Sequence, residues 1–263
     1  MTLPAFIEQG QGRVAVLLLH GIGGGKAIWR ESLSAIAAAG YRAVAIDFPG
    51  YGDSAGAPTM DAMVGAVNAV IDTLGAPRTV VVGHSMGGMV AQELVARDQR
   101  RLGWLGGLVL ACTSASFGKA DGAWQAKFVA ERLAPLEAGL GMAGMARQLV
   151  PAMVAPMASD AAREASIDVM SRVPEASYRV ALQAIAAFDR RAALASIALP
   201  TLCLAAQYDR TAAPEVMQRM AARIPNADYE CLADAGHIAN VEQAAAFNAA
   251  VLAFLQRRAA RGD

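Results

Sequence analysis

Six short runs of aliphatic and β-branched residues punctuate the chain: VAVLLL at 14–19, RAVAID at 42–47, TVVVG at 79–83, GLVLAC at 107–112, PTLCLAA at 200–206 and DYECL at 228–232. They are mostly continuous rather than alternating, the pattern of strands buried on both faces of a parallel sheet. Between most of them lie Ala- and Leu-rich segments at helical spacing, namely 30–39, 59–74, 86–98, 214–223 and 242–258. Strand alternating with helix predicts an α/β fold with a doubly wound, mostly parallel sheet. The interval from about 114 to 196 breaks the pattern. It offers no strand, only about four helical stretches interrupted by Pro135, Gly139, Gly141, Gly144, Pro151, Pro156 and Pro174. This predicts a helical cap at 114–196, inserted into a core made of 1–113 and 197–263.

Composition narrows the function more than the fold. A chain of 263 residues can bury one large core. Lys plus Arg and Asp plus Glu number 23 each, so no surplus of either sign points to nucleic acid or to an acidic tail. The hydrophobic share of 55% is inflated by alanine, and no apolar run approaches the ~18 residues of a membrane helix. The opening MTLPAFIEQGQGR lacks a basic stretch followed by an apolar one. These features lead us to expect a cytoplasmic protein acting on a small molecule. Cys112, Cys203 and Cys231 are odd in number, far apart and set in or beside apolar runs, which predicts reduced core thiols rather than disulfides or a metal site. No metal or other cofactor is expected.

The chemistry concentrates where VVVGHSMGGM follows the third run. Strand, then Gly-x-Ser-x-Gly, then helix demands a sharp reversal that exposes Ser85 at the C-terminal edge of the sheet, at a helix N-terminus. Such a serine needs a base, and the base an orienting carboxylate. Of the three histidines, His84 should point away from the hydroxyl, and His20 heads a glycine loop whose backbone it should hold. His237, in ADAGHIANVEQ after the last strand, is the candidate base. Asp209, at the mouth of the strand PTLCLAA, is the candidate acid; Asp234 is the alternative, although it lies only three residues before His237. The strand GLVLAC ends in Cys112, Thr113 and Ser114 and offers no carboxylate. Two backbone N–H groups should complete an oxyanion hole, that of Met86 and that of Ile22 in the loop HGIGGGKAIW. Trp29, at the end of that loop, is a candidate substrate contact.

Taken together, LLHGIGGGKAIW, AIDFPGYGDS, VVGHSMGG, LPTLCLAAQYD and DAGHIANVEQAAAF, in this order over about 14–257, resemble the α/β-hydrolase fold enzymes. The resemblance implies Ser85 as nucleophile, Asp209 as acid, His237 as base, Ile22 and Met86 as oxyanion donors, and 114–196 as the cap that shapes the substrate pocket. Within the family, GHSMGGMVAQELVARD and AGHIANVEQAAAFN look most like 3-oxoadipate enol-lactonases. The implied activity is cofactor-free hydrolysis of a small ester or lactone. Carbon–carbon bond hydrolases of the meta-cleavage type and ligand receptors built on this scaffold are the alternatives. Dehalogenases and epoxide hydrolases are disfavoured, since they carry aspartate where Ser85 stands. A carboxylate-bearing substrate would need a cation from the cap, among Arg132, Arg147, Arg163, Arg172, Arg179, Arg190 and Arg191.

Overall fold

The computed structural model describes residues 3–97, 105–117 and 122–259. Seven strands, β1 (Phe6–Gln9), β2 (Val14–Leu19), β3 (Arg42–Ile46), β4 (Arg78–His84), β5 (Leu105–Ala111), β6 (Thr201–Ala206) and β7 (Ala227–Leu232), form one sheet in the order β1-β3-β2-β4-β5-β6-β7. All neighbours are parallel except β1, which runs antiparallel to β3. The fold is that of the α/β hydrolases.

Side chains alternate across the sheet, and each set meets its own helices. Val16, Leu18, Val80, Val82, Leu202 and Leu204 face α1 (Arg30–Ala38) and α10 (Ala244–Phe254), through Leu33, Ile36, Phe247 and Phe254. Leu17, Leu19, Val81, Leu108 and Cys203 face α2 (Met60–Leu74), α3 (Met86–Arg97) and α8 (Pro214–Ala221), through Val67, Val90, Leu94 and Met217. Burial on both faces is why these strands read as unbroken apolar runs. Between β5 and β6 the chain forms α4 (Ala123–Glu137), α5 (Gly141–Met153), α6 (Asp160–Ser171) and α7 (Glu175–Ala186), followed by a 3-10 turn at Arg191–Ser196. Their buried Leu136, Met145, Val150, Met170 and Leu182 join the second of the two clusters.

Register sets the location of the chemistry. Leu19 lies opposite Gly83, His84 opposite Ala111, Ala111 opposite Leu204, and Ala206 opposite Leu232. The C-terminal ends of five adjacent strands therefore lie within about three residues of one another, and their loops meet along one edge. Because the order reverses at β2, the loop after β2 and the turn after β4 are neighbours, the place where such sheets hold ligands.

Four expectations need correction. An additional strand, β1, covers the edge of β3; its four residues FIEQ are only half-buried or exposed, so they leave no apolar run. The helix expected over 242–258 is broken at Gln243, where φ is −131°, into α9 (Ala239–Glu242) and α10. Pro135 and Pro151 do not interrupt helices but sit in the last turns of α4 and α5, and each helix ends two residues after its proline. Cys231 is exposed, because β7 is an edge strand, while Cys112 and Cys203 are buried. Among the described residues, no helix is long and apolar enough to cross a membrane, and no group of three or more His, Cys, Asp or Glu could hold a metal ion.

Candidate active site

Ser85 occupies the turn between β4 and α3 with φ of 53°, the left-handed region that an L-residue rarely adopts. The reversal is possible only with glycine beside it. A Cβ on Gly83 would lie 2.4 Å from the carbonyl oxygen of Gly87, and one on Gly87 would lie 2.3 Å from that of Leu19. The turn is held by its backbone: Ser85 N–H donates to Ala111 O at 2.9 Å, while Ser85 O accepts from Gly88 N at 2.9 Å and from Thr113 Oγ1 at 2.7 Å. The hydroxyl takes no part in holding it.

The other two predicted residues converge on that hydroxyl. His237 Nε2 is 3.0 Å from Ser85 Oγ, and Nδ1 is 2.9 Å from Asp209 Oδ2. Asp209 Oδ1 accepts from the backbone N–H groups of Thr211 at 2.7 Å and Ala212 at 2.9 Å. Burial alone would raise the Asp209 carboxyl, but the His237 imidazole and these two amides outweigh it and hold it below the usual carboxylate range. An ionised Asp209 accepts the Nδ1 proton, which leaves the Nε2 lone pair facing the serine. Asp234 stands apart from this chain of bonds: it is exposed, with φ of 55°, and its N–H donates to Gln207 Oε1 at 3.1 Å.

The remaining two histidines are structural. His20 Nε2 accepts from Phe48 N at 3.0 Å, so its proton is on Nδ1 and donated to Gly21 O at 2.8 Å. His84 turns away from the hydroxyl and donates Nε2–H to the His237 carbonyl at 2.6 Å, clasping the loop that carries the candidate base. Burial is the main reason that His20 titrates at about 4 and His84 at about 3, below the ordinary 6.5. In both, the folded chain binds a proton more weakly than the unfolded one. Stability therefore falls as pH drops below about 6.5, the loss being complete only below each folded value. By about pH 5 the loss is on the order of 2 kcal/mol for each imidazole. Asp209, with its lowered carboxyl, adds to it at still lower pH. The urea midpoint is expected to fall clearly between about pH 7 and about pH 5, and an unchanged midpoint would contradict these assignments.

The loop after β2 brings Ile22 to the same edge, where it lines the cavity in front of Ser85. Tyr51 Oη donates to the carbonyl of Ile22 at 3.0 Å, fixing that peptide. Met86 is the first residue of α3, so its N–H has no acceptor within the helix. Neither amide donates a hydrogen bond among the described residues. Trp29 is elsewhere. It is fully buried, 6.5 Å from the His84 ring and 5.8 Å from Phe247, and belongs to the core on the α1 and α10 side. A large indole at the end of an apolar helical turn went to the core instead of the cavity, so it does not serve as a substrate contact.

Two features were not anticipated. The carboxylate of Glu242 accepts from Gly236 N at 2.9 Å and Ile238 N at 2.9 Å, the amides flanking His237, and from Ala155 N at 2.7 Å in the segment after α5. His237 N–H itself donates to Met153 O at 2.7 Å. The His237 loop is thus bound to the helical segment by one direct backbone bond and by the Glu242 carboxylate that bridges the two. A glutamate five residues after His237 was the only sequence signal. The second feature is the cavity lining, which besides Ser85 and His237 includes Met89, Phe117, Phe128, Arg132, Tyr178 and Leu182. Four of these, Phe128, Arg132, Tyr178 and Leu182, come from α4 and α7, and of the four only Arg132 was put forward from the sequence.

Comparison with known proteins adds three findings. The model of the alpha/beta hydrolase family matches residues 16–250. Among curated proteins, RutD of Variovorax paradoxus, provisionally assigned as a carbamate hydrolase, is 33% identical over 94% of both chains, and 3-oxoadipate enol-lactonase 2 of Acinetobacter baylyi is 28% identical over 93% of this chain and 90% of its own. Among solved structures, a thermophilic esterase from Thermogutta terrifontis superposes with a TM-score of 0.84 at 27% identity, covering 96% of this chain and 93% of the esterase.

Proposed function

This chain belongs to the alpha/beta hydrolase family and is a hydrolase, and from that premise we propose that it cleaves a small carboxylic ester or lactone through an acyl-enzyme on Ser85. The observation that carries the reading is the unbroken chain from Ser85 Oγ through both nitrogens of His237 to Asp209. Ser85 Oγ attacks the carbonyl carbon and its proton passes to His237 Nε2. The carbonyl oxygen, now negative, is received by the N–H groups of Ile22 and Met86, helped by the positive end of α3. As the tetrahedral species collapses, His237 returns the proton to the departing oxygen, leaving the acyl group on Ser85. Water then repeats the sequence with His237 as base, releasing the acid. The ionised Asp209 keeps the imidazole in the required tautomer throughout. The helices of 114–196 act as a cap that closes the cavity over the acyl group.

The names of the two relatives support this class, since a lactone and a carbamate are both cleaved by attack on a carbonyl carbon that bears a heteroatom leaving group. The test is a panel of p-nitrophenyl acetate and butyrate, simple lactones and meta-cleavage dienes on the purified protein. Ester or lactone turnover above about one per second is expected, within the ordinary range of enzymes. Turnover of the dienes alone would replace this reading with carbon–carbon hydrolysis, and slow turnover of everything with a ligand receptor.

Glu242 provides a separate check on the cap and base as one unit. In Glu242→Gln one oxygen becomes an NH₂ group that faces a backbone donor. The imidazole should lose alignment with Ser85, lowering kcat/KM by about 10- to 100-fold, as misplacements of about an ångström do. Amide hydrogen exchange at Gly236 and Ile238 should quicken in step. Unchanged kcat/KM would remove Glu242 from the positioning of His237.

A further inference from the structure

The cavity in front of Ser85 has a mostly apolar wall. Ile22, Met89, Phe117, Phe128, Leu182 and Ile185 dominate its wall, and no carboxylate lines it. The guanidinium at its wall is that of Arg132 of α4, a half-buried side chain whose guanidinium carbon lies 5.0 Å from the centre of the Phe128 ring. The other arginines of this segment are engaged or elsewhere. Arg172 pairs with Asp168 at 2.8 Å, Arg179 with Glu137 at 2.6 Å, Arg190 with Glu93 at 2.5 Å and Arg191 with Asp189 at 2.6 Å. Arg163 donates to the carbonyls of Ala155, Pro156 and Ala158, and Arg147 is exposed and outside the cavity. Arg132 has no carboxylate partner among the described residues. A cation held on an aromatic face in an apolar wall, without a counter-ion, is incompletely solvated, and an anion is its natural complement.

A second group points the same way. Tyr178 of α7 lines the same cavity and is 1% exposed, yet its hydroxyl makes no hydrogen bond among the described residues. Burial pushes its ionisation up to about 12, so it stays a neutral donor. Buried phenol hydroxyls ordinarily find a partner. Two unengaged donors, one charged, therefore face the cavity that holds Ser85.

Resting on the reading of Ser85 as nucleophile, we propose that Arg132 and Tyr178 form an anion subsite and that the substrate is a small ester or lactone carrying a carboxylate remote from the bond that is cleaved. The single cation matches a singly charged, planar carboxylate, which a guanidinium binds through two parallel N–H donors. A phosphate dianion would remain half-neutralised in this wall. The subsite selects substrate and leaves the proton transfers at His237 untouched.

The experiment compares two esters that differ only at the far end, the p-nitrophenyl monoester of glutaric acid and that of its monoamide. The wild type should favour the carboxylate by about 100-fold in kcat/KM, and Arg132→Gln should reduce that ratio to near one, mainly through KM. Arg132→Lys should restore part of the ratio and Tyr178→Phe should lower it by about 10-fold. Arg147→Ala, outside the cavity, should leave it unaltered. Glutarate should inhibit the wild type competitively and Arg132→Gln at least about 10 times more weakly. A wild type that hydrolyses both esters equally, or an Arg132→Gln protein with wild-type urea midpoint and an unchanged ratio, overturns the subsite and leaves the nucleophile standing. Failure of the nucleophile reads differently, as equal turnover by the wild type and Ser85→Ala on both esters.

Discussion

Ser85→Ala is expected to lower ester turnover about a million-fold while the protein folds as before. The size follows from the three side chains acting as one unit. Without the hydroxyl, His237 has no proton to take and no covalent intermediate forms, so only cavity binding and the amides of Ile22 and Met86 remain to favour the reaction. The fold is expected to survive because the turn is held by Ser85 N–H on Ala111 and by Gly88 N, Met89 N and Thr113 Oγ1 on Ser85 O, none of which involves the side chain. Alanine keeps the Cβ that already tolerates a φ of 53°. Steady-state rates with p-nitrophenyl acetate and a urea titration check both halves. More than about a tenth of the activity retained, at an unchanged midpoint, would remove Ser85 from the nucleophile's role.

The second large effect is expected from Asp209→Asn, about 10⁴-fold in kcat. The surroundings of Asp209 determine which way the new amide turns. Thr211 N and Ala212 N both donate to Oδ1, so the asparagine oxygen must stay there and its NH₂ must face His237 Nδ1. Two donors cannot share that position. The imidazole shifts its proton to Nε2, where it can no longer accept from Ser85. Rates at saturating substrate, with ¹⁵N chemical shifts to read the tautomer, test this. A nearly unimpaired Asp209→Asn beside a dead Asp234→Asn would transfer the role of acid to Asp234.

Much of this arrangement could be read from the chain because it depends on local rules. Strands buried on both faces had to be continuous apolar runs, and a reversal as tight as that at Ser85 had to carry Gly83 and Gly87 against passing carbonyls. With three histidines in the chain, two of them bound to strand ends, His237 was the residue left to serve as base. What escaped depends on tertiary partners that no spacing encodes. The strand β1 is made by its register against β3, not by its own four residues. Glu242 looks like any surface glutamate until the amides of Ala155, Gly236 and Ile238 are brought around it. Trp29 was misplaced because a loop next to a site and the core beneath it are one residue apart. Seven arginines of 114–196 are equivalent in sequence, and only the folded positions of carboxylates, backbone carbonyls and the cavity separate Arg132 from the rest.

The central claim is that Ser85 is the group that becomes acylated. Its most direct measurement is exposure of the protein to a fluorophosphonate, followed by peptide mass mapping. One phosphonyl group per chain is expected, on Ser85, with no label on Ser85→Ala and labelling slowed at least about 100-fold in His237→Ala. A label on another residue with Ser85 unmodified, or rapid ester turnover by a protein that takes up no label, would contradict it.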